Sequence, residues 1–269
     1  MALFTSYVWE RQTAAQLAAR EGKSLGWIRK QLASVQTNAV APIPQSTPVA
    51  ADVTFWGRRY GVCVFRSPTL KRNLWWKEVT EETPAIYAEG LWTLTQRGWD
   101  ITGAVIDGKR GMAKVFGDMP VQICQFHQVK TVTKYLTRKP KTRAGWELRA
   151  IALQIARSDE KTFILLLSEW HERWKDFLSE RTPCSCCKPN RWPYTHRKLR
   201  AAYRSLNTNL PFLFTYQKYP NLHLPNTTNT LDGMFSQIKN RLAVHRGAKQ
   251  EFRYKIIQKI LSGKEGISN

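Results

Sequence analysis

The sequence predicts an α/β protein. The expected order is a mixed sheet, βββαβαβ, with a helix after it, an all-helical insertion, and a pair of short helices in front. Three observations carry this. Asp100 to Asp107 ends in a nearly continuous apolar run, as a central parallel strand does. Between Val49 and Thr80, three β-like runs follow one another with only short turns between them, the spacing of a meander. Asp107 and Asp232 each lie in an otherwise apolar pattern, about 125 positions apart. That is far more than a loop needs, and the interval reads as helix rich in Trp.

In chain order, Thr13 to Leu32 reads as two helices. Ala14, Leu17 and Ala18 share a face, and Gly22 breaks the first helix. Ser24 suits the N-cap of the second, with Trp27 and Ile28 inward and Arg29 and Lys30 outward. Over residues 1–34 this fits a helix-turn-helix, whose second helix enters the DNA major groove, with Lys23, Ser24, Arg29 and Lys30 as contacts. An ordinary helical hairpin is the alternative. Residues 35–48 are rich in Gln, Asn, Ala and Ser with three prolines, and read as a linker.

Strands are expected at Val49 to Trp56, Tyr60 to Ser67 and Asn73 to Thr80. Asp52 shares a face with Ala50 and Thr54, whose small side chains leave room around the carboxylate. Thr83 caps a helix with Pro84 at its first position and Ile86, Leu91 and Leu94 inward. Strand four runs from Asp100 to Asp107, a short helix covers Arg110 to Phe116, and strand five covers Val121 to Phe126. Residues 49–140 and 221–269 then form the sheet domain, with residues 141–220 as the helical insertion.

Asp107 sits at the C-terminal tip of a buried strand, where open α/β sheets place their ligands. Asp-Gly also makes hairpin turns, but the KRGMAKVFG that follows is a poor returning strand. Asp232 borders a helical stripe of Leu231, Phe235, Ile238 and Leu242; acids are also favoured there simply by the helix dipole. Cys124 and His127 supply half of a zinc site, and no nearby pair completes it; His127 as a plain core histidine stays open. Cys184, Cys186 and Cys187, with His196 nearby, read either as a zinc knuckle of irregular spacing or as free thiols.

The net charge of +22 makes a polyanion the first candidate partner, nucleic acid ahead of an anionic membrane surface. Lys109 to Arg149 holds ten Lys or Arg against two acids, and Lys239 to Lys264 is likewise basic. Both flank candidate acids, so Lys109, Arg110, Lys130, Lys239 and Arg241 are expected phosphate contacts, giving affinity rather than sequence choice. A solvated face is the plainer reading of such a run. No apolar stretch approaches a bilayer span, the start lacks the order of a signal peptide, and five cysteines, three of them clustered, do not form a secreted disulfide scaffold.

Four pieces together resemble the Mutator-type DDE transposases and their bacterial insertion-sequence relatives, over about Val49 to Gly247. They are Asp52 in VAADVTFWG, Asp107 in AVIDGKRG, Cys124-Gln-Phe-His127, and NTTNTLDGMFSQIKNRLAVHRG from Asn226. The resemblance implies an RNase H-like fold and a DNA transposase. Asp52, Asp107 and Asp232 would hold two Mg²⁺, with Mn²⁺ able to substitute; His127 would stand beside them, and Cys124 would be structural. It further implies cleavage at terminal inverted repeats and joining to target DNA, by a homo-oligomer on double-stranded DNA in the bacterial cytoplasm at the nucleoid, with no membrane.

The family usually has Glu where Asp232 aligns, and Asp reaches roughly 1.5 Å less far, a bond length. Relatives often carry a zinc ribbon before the helix-turn-helix. No such cysteines precede Asp52 here, which leaves a shortened or mis-started copy as an open reading. A decayed transposase that only binds DNA, and an RNase H-like nuclease that cuts without joining, are the alternatives.

Overall fold

The computed structural model describes residues 2–36, 42–183 and 192–263. Helices α1 (Ala2–Trp9), α2 (Ala14–Glu21) and α3 (Leu25–Ser34) precede strands β1 (Ser46–Phe55), β2 (Gly61–Ser67) and β3 (Arg72–Val79). Helix α4 (Pro84–Gln96), strand β4 (Asp100–Ile106) and strand β5 (Val121–Ile123) follow. The remainder is helical: α5 (Gln125–Leu136), α6 (Arg143–Leu153), α7 (Glu160–Ser179), α8 (Arg197–Leu213), α9 (Thr215–Lys218), α10 (Asn229–Val244) and α11 (Gln250–Ser262). The five strands form one mixed sheet in the order β3-β2-β1-β4-β5. β2 and β3 pair antiparallel, while β4 and β5 pair parallel. No helix among the described residues is long and apolar enough to cross a membrane.

The chain divides into two compact units. One comprises Met1–Gln45, Asp52–Asp100 and Asn229–Asn269; the other comprises Ser46–Ala51 and Ile101–Thr228.

In the first unit, β2 and β3 bury an aromatic cluster under α4. Phe65 meets Trp75 edge-on at 5.4 Å between ring centroids and Tyr87 at 5.8 Å. Such pairs add roughly 0.5–1.5 kcal/mol each beyond their buried area. The buried face of α4 is Tyr87, Gly90 and Leu94, one position away from the expected Ile86 and Leu91. Gly90 explains the register, because a Cβ there would come within 2.7 Å of the Phe65 ring and 2.9 Å of Trp75. The helix therefore rests its glycine on the Phe65 and Trp75 rings. Thr83 stands at the N-cap with extended backbone but makes no side-chain capping bond.

Helix α2 begins with a capping box. Gln16 N–H donates to Thr13 Oγ1 (3.2 Å), and Thr13 N–H donates to Gln16 Oε1 (2.8 Å). It ends at Gly22, whose φ of +62° only glycine adopts without cost. Ser24 then caps α3 by accepting from Trp27 N–H at 3.2 Å. Ser24→Ala should cost about 1 kcal/mol by loss of that cap, read as a lower urea midpoint at unchanged slope. Ile28 and Leu32 form the buried side of α3. Trp27 does not: it is exposed, with Lys23 Nζ over its ring at 5.9 Å. Ile28 alone fills the inward position, so the indole of the preceding residue is turned out by the 100° helical step.

Helix α1 was not foreseen. It holds to the end of the chain through Phe4 against Phe252, and through Arg241, which donates to the carbonyls of Val8 (3.3 Å) and Trp9 (3.1 Å). His245 stacks on Tyr7 at 3.8 Å and bonds its carbonyl oxygen at 3.1 Å. Burial pushes the His245 pKa below its ordinary value, and the bond to Tyr7 only partly offsets this. The folded chain therefore holds His245 neutral, while the unfolded chain protonates it below about pH 6.5. Stability from this group is present above that pH and is lost as pH falls toward the depressed folded value. Equilibrium unfolding at pH 7.5 and pH 5 should show that loss, and His245→Phe should flatten it.

In the second unit, a helical core gathers Leu148, Phe163, Leu167, Trp170, Leu206 and Phe214 from α6, α7, α8 and the residue after α8. Trp170 Nε1–H donates to the Ala144 carbonyl at 3.0 Å, so the large ring is buried with its one polar atom paired. Strand β5 is tied to this layer by Gln122, which is fully buried. Its Nε2 donates to the Leu213 carbonyl (2.9 Å), and its Oε1 accepts from Tyr216 N–H (3.0 Å).

The other element boundaries shift modestly. β1 starts at Ser46, earlier than its apolar pattern shows, and takes in Pro48. The turn after β4 is a 3₁₀ helix over Ala113–Phe116 rather than a helix from Arg110. Strand β5 stops at Ile123, and Gln125 to His127, expected partly as strand, open α5. The reason is that β5 has a parallel partner only across Ala104 to Ile106; once β4 ends, the chain has no ladder to continue. Cys184, Cys186 and Cys187 lie outside the described residues.

Candidate functional site

Two of the three expected acids meet in the first unit. Asp52 comes from β1 and is 7% exposed. Asp232 comes from the first turn of α10 and is half-buried. Each offers a carboxylate oxygen within 4.8 Å of the other's. The amphipathic pattern of α10 produces this placement: Leu231, Phe235, Ile238 and Leu242 are all buried, and Asp232 follows at the margin of that stripe. Asp52 Oδ1 accepts from Val53 N–H at 2.8 Å. Asp232 Oδ2 is buried and has no hydrogen-bond partner among the described residues. A buried carboxylate oxygen without a donor, facing a second carboxylate, is costly unless a cation joins them. Carboxylate oxygens suit a hard divalent cation.

Asp107 belongs to the second unit and stands half-buried just past β4. It does not begin a hairpin. Cys124 N–H donates to the Ile106 carbonyl at 2.8 Å, so β4 runs beside β5 in parallel up to the residue before the acid. Asp107 Oδ1 accepts from Lys109 N–H at 3.1 Å, which turns the chain sharply away. A Cβ at Gly108 would come within 2.7 Å of Asn209 Nδ2, so the tip of that side chain would have to shift. Asn209 in turn donates to Gln128 Oε1 at 2.8 Å.

The Cys124 to His127 segment binds a strap of chain, Asn226 to Thr228. Gln125 N–H donates to the Asn226 carbonyl (3.0 Å), and Asn226 Nδ2 donates to Gln125 Oε1 (3.1 Å). Cys124 Sγ accepts from Thr228 N–H (3.3 Å) and Oγ1 (3.4 Å), and Thr228 Oγ1 lies 3.4 Å from His127 Nδ1. Burial pushes the Cys124 thiol up, but hydrogen bonds from His127 and Thr228 outweigh it and hold the thiol below its ordinary pKa. Thr228 is the residue before α10, so this knot fixes the chain just ahead of Asp232. The cysteine and the histidine thus both meet Thr228. Asn226 and Thr228 lie in a polar run, Asn226 to Thr230, and neither they nor Gln125 and Asn209 carry a local signal of this role.

Of the expected DNA contacts, Lys23, Arg29, Lys30, Lys109, Arg110, Lys130 and Lys239 are exposed. Lys130 Nζ lies over the Phe126 ring at 4.3 Å. Ser24 spends its hydroxyl oxygen on the α3 cap, and Arg241 is committed to the carbonyls that end α1 and to the Trp9 ring at 4.7 Å.

No protein-family model matches the sequence. Among solved structures, the chain is similar to one in the Drosophila P element transposase strand transfer complex. The two are 12% identical with a TM-score of 0.44, over 98% of this chain and 91% of that one.

Proposed function

We propose that the protein is a DNA transposase of the DDE type, cutting DNA at the ends of a mobile element and joining the freed 3′ end to a target. The observation that carries this is the meeting of Asp52 and Asp232, remote in sequence, within 4.8 Å, with one Asp232 oxygen buried and unpartnered. The strand order with two parallel strands beyond β1 supports an RNase H-like sheet. The excess of 42 basic over 20 acidic residues supports a nucleic-acid substrate.

In this reading Asp52, Asp107 and Asp232 hold divalent cations, Mg²⁺ or Mn²⁺, with His127 as a further donor or phosphate contact. Two such ions supply an activated oxygen nucleophile and a stabilised leaving oxygen at a phosphodiester. Within the first unit, Asp52 on a strand and Asp232 on a helix would hold that chemistry on stiff elements. Asp232 is the sensitive member, since a misplacement of about 1 Å costs ~100-fold in rate. The basic side chains of α3 and of the turn after Asp107 would bind DNA phosphates. Helices α2 and α3 would act as a helix-turn-helix, with exposed Trp27 adding a flat contact. Pairing of two element ends implies a homo-oligomer on DNA.

The test is Mg²⁺-dependent nicking and joining of oligonucleotides bearing the element's terminal repeats, with Asp107→Asn and Asp52→Asn as controls. Nicked and joined product from wild type alone is expected. Nicking without joining would indicate a nuclease, and binding without nicking a decayed enzyme that keeps only its DNA affinity.

A further inference from the structure

The first unit contains a cavity of about 1170 Å³ that the metal reading does not use, since neither Asp52 nor Asp232 lines it. Its walls come from the β2–β3 turn, β3, the end of α4, the start of α10 and the end of α11, with Trp9 at one side. We propose that this cavity is a groove for a segment of single-stranded nucleic acid.

Four cations line it, Arg66, Lys71, Arg72 and Arg97, and none of the described lining residues is acidic. That balance selects a polyanion. Arg66 is the built part of the site. Its Nη1 donates to Asn73 Oδ1 at 2.9 Å, and Asn73 Nδ2 donates to the Leu261 carbonyl at 2.8 Å, so β3 and the end of α11 hold the guanidinium in place. Its Nε is buried with no partner among the described residues. A guanidinium anchored in this way sets a fixed positive charge at the cavity wall, where it would meet a phosphate.

Trp76 lines the same cavity and is only half-buried, whereas Trp9, also in the lining, has its ring against Arg241. Indole faces stack on bases, and bases offer their faces only when unpaired, which selects a single strand over a duplex. The volume exceeds the roughly 300–1,000 Å³ of a small-molecule pocket, which favours a polymer segment over a lone nucleotide. The groove runs along the first turns of α10, the helix that carries Asp232.

The test is fluorescence anisotropy of the full chain in EDTA, so that its outcome is independent of metal binding. The probes are a labelled oligodeoxythymidine of about 12 nucleotides, within the range of known single-strand sites, and a duplex of equal length. Wild type is expected to bind the single strand. Trp76→Ala should weaken it by about fivefold to a hundredfold, the range for loss of one base–aromatic stack, and Trp76→Phe should restore most of it. Arg97→Glu, at the exposed end of α4, should weaken single-strand binding more than duplex binding. Unchanged single-strand affinity in Arg97→Glu, or equal losses for both probes, overturns the proposal. That reading does not depend on whether Trp76→Ala folds.

Discussion

Mg²⁺ at about 100 times its dissociation constant is expected to stabilise this protein by about 2.7 kcal/mol. In a chain of this size that raises the unfolding midpoint by roughly 5–10 °C. The reason lies in the first unit. Asp52 and Asp232 bring like charges within 4.8 Å, and Asp232 Oδ2 is buried without a donor. A cation there would convert both penalties into coordination, and it would favour the folded chain because the unfolded one cannot hold the two acids together. Asp232→Asn removes a ligand charge and gives the buried position a neutral amide. It should abolish the Mg²⁺ shift while leaving the protein in EDTA no less stable than wild type. The informative measurement is thermal unfolding with and without the ion for both proteins. A full shift retained in Asp232→Asn would sink the metal assignment. Asp232→Glu then tests reach: if the shorter acid limits rate, the longer one should raise nicking while keeping the shift.

Phe163→Ala is expected to cost about 3–5 kcal/mol, the range for truncating a buried aromatic. Phe163 is fully buried on α7, and its ring lies 5.5 Å from that of Phe214. Around it sit side chains held by other bonds: Trp170 by its link to Ala144, and the chain at Leu213 by Gln122. Those anchors prevent collapse into the void, so the cost should fall toward the upper end. The check is urea unfolding combined with amide exchange. Protection should drop across α6, α7 and α8 first. A loss below about 1 kcal/mol would mean that this helical layer is not the close-packed core its burial implies.

The elements that a reader of the sequence recovers best are those whose side-chain period is long and clean. Helix α10 is the clearest, because Leu231, Phe235, Ile238 and Leu242 repeat at helical spacing and all four are buried. Strand β4 is similar, since an apolar run ending in Asp107 has one natural reading. The misplaced details share a cause. Trp27 follows Ile28's face in a simple apolar pattern, yet only one of the two can point inward. On α4 the inward face is chosen by Gly90, whose value is the absence of a side chain; hydrophobicity ranks it below Ile86 and Leu91 although it makes the closest approach to the Phe65 ring. Helix α1 is held by Phe4, Arg241 and His245, contacts that join opposite ends of the chain and leave no local trace.

The candidate site divides the same way. Chain pattern alone marked Asp52, Asp107, Asp232 and the Cys124–His127 segment, because an acid or a histidine inside an apolar period is conspicuous. It also established a polycation, since charge is additive and independent of fold. Tertiary structure alone decided that Asp52 and Asp232 share a few ångströms, and that Cys124 and His127 tie down the chain ahead of α10. It alone gathered Trp9, Trp76 and four cations around one cavity. Periodicity reports which face of an element is buried; which buried faces meet is set by packing between elements far apart in sequence, and no local pattern contains it.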